Sequence, residues 1–270
     1  MIIKNYILNI SYQILVILIP LITTPYLSRV IGTQGIGVYS YYYSIAYYFS
    51  IFILLGLNNY GTRKIAEAKS HRRDIGKEFF SIYTMQFLFG IIVIILYILY
   101  TLNLSSDTKI SLIFLIYIIS AVFDVNWLFN GLEQFKITIT RSFFVKLFST
   151  LSIFLFVKSK NDVYLYCLIL SFSFLINQLC LWPFIIKKFR FYLPNIKEIK
   201  EHIKPNFVLF LSVLGTSIYK YMDKIMLGIL CSKIEVGYYE QSERIIALPV
   251  AFIASLGAVM LPRMTSMLND

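Results

Sequence analysis

Acidic residues, histidines and cysteines are few: the 270-residue chain has 14 Asp and Glu, 2 His and 3 Cys. His71 and His202 both fall in basic stretches between apolar runs, and Cys167, Cys180 and Cys231 are scattered through apolar sequence without ligand-like spacing. That scarcity leaves no donor set for a metal and no disulfide framework. A phosphate-cradling glycine loop and a nucleophile beside a base are also missing, so neither catalysis nor ATP hydrolysis is expected, and no cofactor is implied. Any transport would have to draw on an ion gradient or on the substrate's own gradient.

What the chain has in abundance is apolar surface: 58% of its residues are hydrophobic and only 14% charged, for a mean hydropathy of +0.73. A water-soluble globule has no place for that surface. Runs such as 87–100 and 112–123, with their flanks, approach the roughly 20 apolar residues that carry a helix across a bilayer. A transmembrane β-barrel would instead need shorter segments of alternating polarity. The expected fold class is therefore all-α, a polytopic membrane protein of about eight transmembrane helices. Its first span is broken by prolines and lacks a small-residue cleavage site, so it reads as a retained helix rather than a signal peptide.

The spans are expected near 8–31, 38–58, 80–101, 110–130, 141–158, 162–183, 206–230 and 238–261. The chain carries 25 Lys and Arg, a formal net charge of +11. These cations sit between apolar runs, which speaks for membrane lipids and not nucleic acid as their partner. Arg63, Lys64, Lys69, Arg72, Arg73 and Lys77 follow span two, and Lys187, Lys188, Arg190, Lys197, Lys200 and Lys204 follow span six. The alternate loops hold far fewer, so both termini are expected in the cytoplasm. Segments 62–80 and 196–204 are expected to form short helices at the interface, the second with Ile196, Ile199 and Ile203 on its apolar side.

A shift of 200 residues aligns Leu27 with Leu227, Gly37 with Gly237, Tyr39 with Tyr239 and Arg63 with Arg263. The match joins the end of span one to the end of span seven, as a parallel repeat of six-helix lobes about an axis along the membrane normal would. The domain expectation follows: a six-helix lobe over 1–183, a basic cytoplasmic linker over 184–205, and the first two helices of a second lobe over 206–270.

Ionisable groups inside a bilayer are costly and turn toward a cavity or a partner. Span seven places Ser212, Thr216, Lys220 and Lys224 at steps of four, with Asp223 three beyond Lys220. Two lysines against one carboxylate leave a positive excess, favouring a substrate cavity over a structural ion pair. Asp124, at the end of span four, needs a partner, for which Lys146 and Lys220 are the candidates, in a structural or a gating role. Trp127 reads as an interfacial belt residue. Pro20 and Pro25 predict a bend or break in span one that would serve as a hinge, with Arg29 one turn further on. Six tyrosines between Tyr39 and Tyr48 cover all faces of span two, so some face inward, where a phenol can stack on a sugar.

Three stretches carry a resemblance that covers nearly the whole chain in order. "PYLSRVIGTQGIGVYSYYYSIAYYFSIFILLGLNNYGTRKIA", "FDVNWLFNGLEQFKITITRSFFVKLFS" and "DKIMLGILCSKIEVGYYEQSERI" resemble the bacterial polysaccharide flippases of the multidrug/oligosaccharidyl-lipid/polysaccharide exporter superfamily. The resemblance implies a protein of the bacterial inner membrane that moves an undecaprenyl-diphosphate-linked oligosaccharide outward by alternating access between two six-helix lobes, for capsule or O-antigen synthesis. It further implies a coupling ion, H+ or Na+, and a polysaccharide polymerase complex as partner. Lys220, Lys224 and Arg29 would then meet the anionic lipid-linked oligosaccharide diphosphate, while Asp223 and Asp124 hold or gate those cations. Family members usually have twelve or more spans, so the chain is expected to be a fragment of a longer product or a shortened form. The alternatives are a drug or cation exporter of the related branch, a membrane glycosyl- or acyltransferase, and a non-transporting scaffold.

Overall fold

The computed structural model describes residues 18–247 and 249–250, which are helical between short turns with no strand among them. Helix α1 covers 18–30 and α2 Gly32–Leu54, followed by α3 Leu57–Ser70, α4 Ile75–Asn103, α5 Thr108–Val122, α6 Asn126–Gly131, α7 Phe135–Phe156, α8 Val163–Leu179, α9 Trp182–Lys188, α10 Ile196–Leu230 and α11 233–247. Among the described residues, five stretches are long and apolar enough to span a bilayer: Gly32–Ser70, Ile75–Asn103, Thr108–Gly131, Phe135–Phe156 and Lys160–Lys188. They coincide with expected spans two to six. Span seven forms within α10, whose polar stripe keeps it less apolar than those five. The start of span one and the end of span eight, and Arg263 of the repeat, lie outside the described residues.

Capping side chains mark where several helices begin. Asp74 accepts from the N–H of Gly76 at 2.9 Å and of Lys77 at 3.2 Å to open α4, and Asp107 accepts from Ile110 N–H at 3.2 Å to open α5. Asn195 and Glu198 form a capping box at the start of α10. That start is continuous with the rest of α10 through Pro205, so 196–204 is the first part of a 35-residue helix rather than a separate one. Ile199 and Ile203 pack on the apolar cluster around Leu57 and Trp127, which ties this segment to the bundle.

Helix α2 runs through the middle, packed on α4, α5, α8 and α10. It stops at Leu55, whose φ of 49° ends the helix, and α3 departs after Gly56. Glycine is required there because a Cβ would lie 2.6 Å from Leu209 Cβ and 2.8 Å from Asn206 O on α10. By contrast, α4 turns Leu88, Ile91, Ile92, Ile95, Leu96, Leu99 and Leu102 outward, each between 43% and 68% exposed. A ladder of that length is a lipid-facing surface.

The break between α5 and α6 is built from side chains that replace lost backbone bonds. Gln86 Nε2 donates to the carbonyls of Ala121 at 2.9 Å, Val122 at 3.1 Å and Asp124 at 2.9 Å, and Trp127 Nε1 donates to Gln86 Oε1 at 3.2 Å. Trp127 is thus a fully buried core residue, not the interfacial anchor its position suggests. The indole closes the break and packs on Gly61, where a Cβ would meet it at 2.7 Å.

Residues 200 apart touch reciprocally. A Cβ on Gly37 would strike Lys233 O and lie 2.7 Å from Gly237 N, while one on Gly237 would strike Thr33 O. Ser40 Oγ donates to Glu240 at 2.7 Å, Tyr41 packs on Gly228, and Ser28 Oγ donates to Gln241 at 2.9 Å. Position 33 meets 237 as 37 meets 233, and 28 meets 241 as 41 meets 228. Such reciprocity is what a two-fold relation between α1–α2 and α10–α11 produces, with the axis near the glycine crossing.

Candidate functional site

A cavity of about 360 Å³ opens between α1, α2, α7, α8 and α11. Its apolar walls come from Leu27, Val145 and Phe174, and hydroxyls and amides from Thr23, Ser142, Thr150, Ser173 and Asn177 line the rest. Tyr39 and Tyr166 pack 5.0 Å apart at one side. Two cations reach the cavity, Lys146 from α7 and Arg244 from α11. Lys146 forms no ion pair among the described residues.

Arg244 belongs to a compact ionic cluster. Its Nε donates to Glu240 Oε1 at 2.8 Å and its Nη1 to Thr24 Oγ1 at 3.2 Å. The other oxygen of Glu240 accepts from Lys224 Nζ at 2.7 Å and from Ser40 Oγ at 2.7 Å, and Glu243 accepts from Lys224 at 2.8 Å. Two cations and two carboxylates cancel, so the cluster is neutral as a unit. The uncompensated charge at the cavity is Lys146.

This arrangement redistributes the residues singled out in the sequence. Lys224 is 7% exposed, as an inward stripe requires, but the positive excess read there is cancelled by Glu240 and Glu243 of the next helix. Lys220, one turn earlier, is exposed, forms no ion pair among the described residues and does not line the cavity. Asp223 is also exposed and accepts from Tyr239 Oη at 2.6 Å, not from Lys220. Arg29 is exposed at the end of α1, away from the cavity.

Asp124 is held neither by Lys146 nor by Lys220. Its Oδ1 caps α6, accepting from the N–H of Asn126 at 2.9 Å and its amide at 2.7 Å, while Arg141 Nη2 donates to Asn126 Oδ1 at 2.9 Å. The break after α5 places Asp124 beside α6, so the backbone and Asn126 reach it first. Pro20 lines the cavity and Pro25 faces Arg244 from α1. The chain stays helical through both, with no break in the described part of α1.

The sequence reading missed Glu240, Glu243 and Arg244. Their spacing of three and four puts them on one face of α11, and the 200-residue offset sets position 240 opposite Ser40. Either signal could have found them.

Comparison with known proteins adds a family and distant relatives. A family model described as "Polysaccharide biosynthesis protein" matches residues 2–268. Two curated proteins named "Putative O-antigen transporter" are similar. One, from Shigella dysenteriae, is 22% identical over 255 residues, covering 93% of this chain and 64% of the relative. Another, from Escherichia coli (strain K12), is 22% identical over 256 residues, covering 93% and 62%. The chain thus spans less than two thirds of the length of these relatives. No solved structure matches it.

Proposed function

Because the chain belongs to the polysaccharide biosynthesis protein family, matched over residues 2–268, we propose that it serves a flippase that passes an undecaprenyl-diphosphate-linked oligosaccharide across the bacterial inner membrane. Residues 1–183 are the first lobe, 184–205 a basic linker and 206–270 the opening of a second lobe. The excess of cations in the loops after α3 and α9 supports a cytoplasmic amino terminus.

One observation carries this reading: Lys146, free of any carboxylate among the described residues, and Arg244 line one hydroxyl-rich cavity at the meeting of α1, α7, α8 and α11. A diphosphate-sugar headgroup is anionic and rich in hydroxyls, and inside a bilayer it requires cations and hydrogen-bonding groups of this kind. Lys146 binds the diphosphate, Arg244 assists while retained by Glu240, and Tyr39 and Tyr166 offer faces to sugar rings. Lys224 orients Glu240 without touching the headgroup. An organic cation would meet repulsion from Lys146, which argues against the drug-exporter branch. Alternating access, with α1 flexing at Pro20 and Pro25 and a coupling ion such as H+, completes the mechanism, and a polymerase receives the product.

The test is binding of a short-chain isoprenoid diphosphate-sugar to the purified chain in detergent. Lys146→Gln is expected to weaken binding at least about tenfold, the loss of one charge-assisted contact, with thermal stability unchanged. Unaltered affinity in K146Q, or tighter binding of an organic cation than of the diphosphate, would overturn the proposal.

A further inference from the structure

Sharing no lining residue with the cavity, an apolar groove of about 820 Å³ lies between α4 and α9, continued by the extended segment that follows α9. Phe80, Tyr83 and Phe87 form one wall, and Trp182, Ile186 and Phe191 the other. The aromatic rings set its shape: Tyr83 meets Trp182 edge-on at 4.8 Å, and Phe80 meets Phe191 edge-on at 5.2 Å. Two of its polar groups are already occupied, Trp182 Nε1 donating to Phe123 O at 3.1 Å and Thr84 Oγ1 to Phe80 O at 2.7 Å. Phe191 and Leu193 nonetheless stand 75% and 77% exposed, which a chain in water would not tolerate in neighbours so close.

Charge at the groove has one sign. Arg190 lines it, Lys187 and Lys188 precede it, and no acidic residue occurs from 182 to 193. Arg190 makes no ion pair among the described residues. Basic pockets between transmembrane helices at the positively charged end of a bundle are suited to acidic lipid headgroups. Apolar walls for tails and an unpaired guanidinium for phosphate together define a ligand that has both.

We propose that this groove binds an anionic glycerophospholipid of the leaflet at the basic end of the bundle, with acyl chains between Phe80, Phe87 and Trp182 and the phosphate on Arg190. Bound there, the lipid packs the segment between α9 and α10 against α4 and so fixes the connection to the second half of the chain.

The chain carries only two tryptophans, Trp127 and Trp182, and Trp127 is fully buried, so quenching of indole emission by brominated lipids reads the groove. The chain is reconstituted in bilayers with brominated phosphatidylglycerol or brominated phosphatidylcholine at equal mole fraction. Phosphatidylglycerol is expected to quench with an about fivefold preference, the effect of one cation near the headgroups. Arg190→Gln should abolish that preference, while the double substitution Lys187→Gln/Lys188→Gln leaves most of it. Trp182→Phe should remove the quenching itself, which establishes that Trp182 reports it. Equal quenching by both lipids, or an R190Q variant that keeps the preference, would overturn the site. So would an equal loss in the double lysine variant, which would mean diffuse attraction only. A brominated isoprenoid phosphate that displaces phosphatidylglycerol when equimolar would assign the groove to the substrate's tail and overturn the phospholipid.

Discussion

The hairpins α1–α2 and α10–α11 occupy matching places on either side of the Gly37–Gly237 crossing, yet their chemistry differs. Thr24, Ser40, Tyr43 and Ser44 in the first correspond to Lys224, Glu240, Glu243 and Arg244 in the second. Every ion pair of the cluster therefore lies within α10–α11, and the first hairpin contributes hydroxyls that bond those ions, Ser40 to Glu240 and Thr24 to Arg244. The seam itself is held by single hydrogen bonds, close glycine packing, the rings of Tyr43 and Tyr47 against Tyr221 and the ammonium of Lys233 over Tyr41. Each such bond contributes about 1 kcal/mol net, whereas a buried ion stripped of its partner costs several times more. Two hairpins joined in this way can part without separating an ion pair of the cluster.

The sharpest way to break the comparison is to exchange its two sides. Glu240→Ala strands Arg244 and leaves Lys224 with Glu243 alone, and should cost about 3–5 kcal/mol in thermal unfolding in detergent. Ser40→Ala removes one hydrogen bond at the same contact and should cost about 1 kcal/mol. If the two losses were equal, the charges would not be confined to one side. Next in size are the crossing glycines: Gly37→Ala and Gly237→Ala should each cost about 1–3 kcal/mol, because each Cβ meets the other hairpin's backbone. Gly215→Ala on α10, where a Cβ has open space, should instead gain about 0.5–1 kcal/mol. A large difference between the two crossing substitutions would deny the reciprocity.

The smallest effect tests whether the pattern extends to the basic end. There the pattern is mixed: Lys77 of α4 pairs with Glu198 of α10 at 2.8 Å, while the Tyr60 hydroxyl of α3, a neutral group, shares a hydrogen bond of 2.8 Å with His202 Nδ1 on α10. Burial pushes the His202 imidazole below its ordinary value, with Lys64 adding to the shift and Glu201 and Glu198 opposing it. A depressed histidine means the undocked form takes up its proton first as pH falls. Docking is therefore at full strength above about pH 6.5 and weakens below it. Hydrogen-exchange protection over 196–206, taken relative to the intrinsic amide rate at each pH, should be weaker at pH 5.5 than at 7.5, and His202→Gln should flatten the difference. Protection that does not change with pH in the unaltered protein would limit the pattern to the seam at the glycine crossing.

Much of the fold is legible in the sequence because apolar runs of helical length leave few alternatives, and the 200-residue offset identifies the glycines that meet. The site is less so. Lys224 is read as inward because bilayer energetics act on its own helix. Its partners sit on α11, and hydropathy says nothing about how one helix is rotated toward another. Lys220 shares the stripe yet stays exposed, because no described element packs over it. Asp124 is misread because a break in a helix supplies local hydrogen-bond donors that an unbroken span would lack. Lys146 reaches the cavity for a reason its own span does not contain: the other walls come from α1 and α2, more than 100 residues earlier, from the neighbouring α8, and from Arg244, nearly 100 residues later.

The crossing of Gly37 and Gly237 has a mechanical corollary. It sits beside Gly228, near the end of α10, and Asn206 lies 22 residues earlier, which at helical rise places it about 33 Å away. If the contact acts as a fulcrum, a swing of about 10° there would carry Asn206 through about 6 Å. At that bearing backbone meets backbone without intervening side chains. A roll of one hairpin on the other would have to release the hydrogen bonds Ser28–Gln241, Ser40–Glu240 and Thr24–Arg244 and the ring contacts of the seam, and leverage would enlarge a slight tilt at one end of α10 into a wider displacement along it.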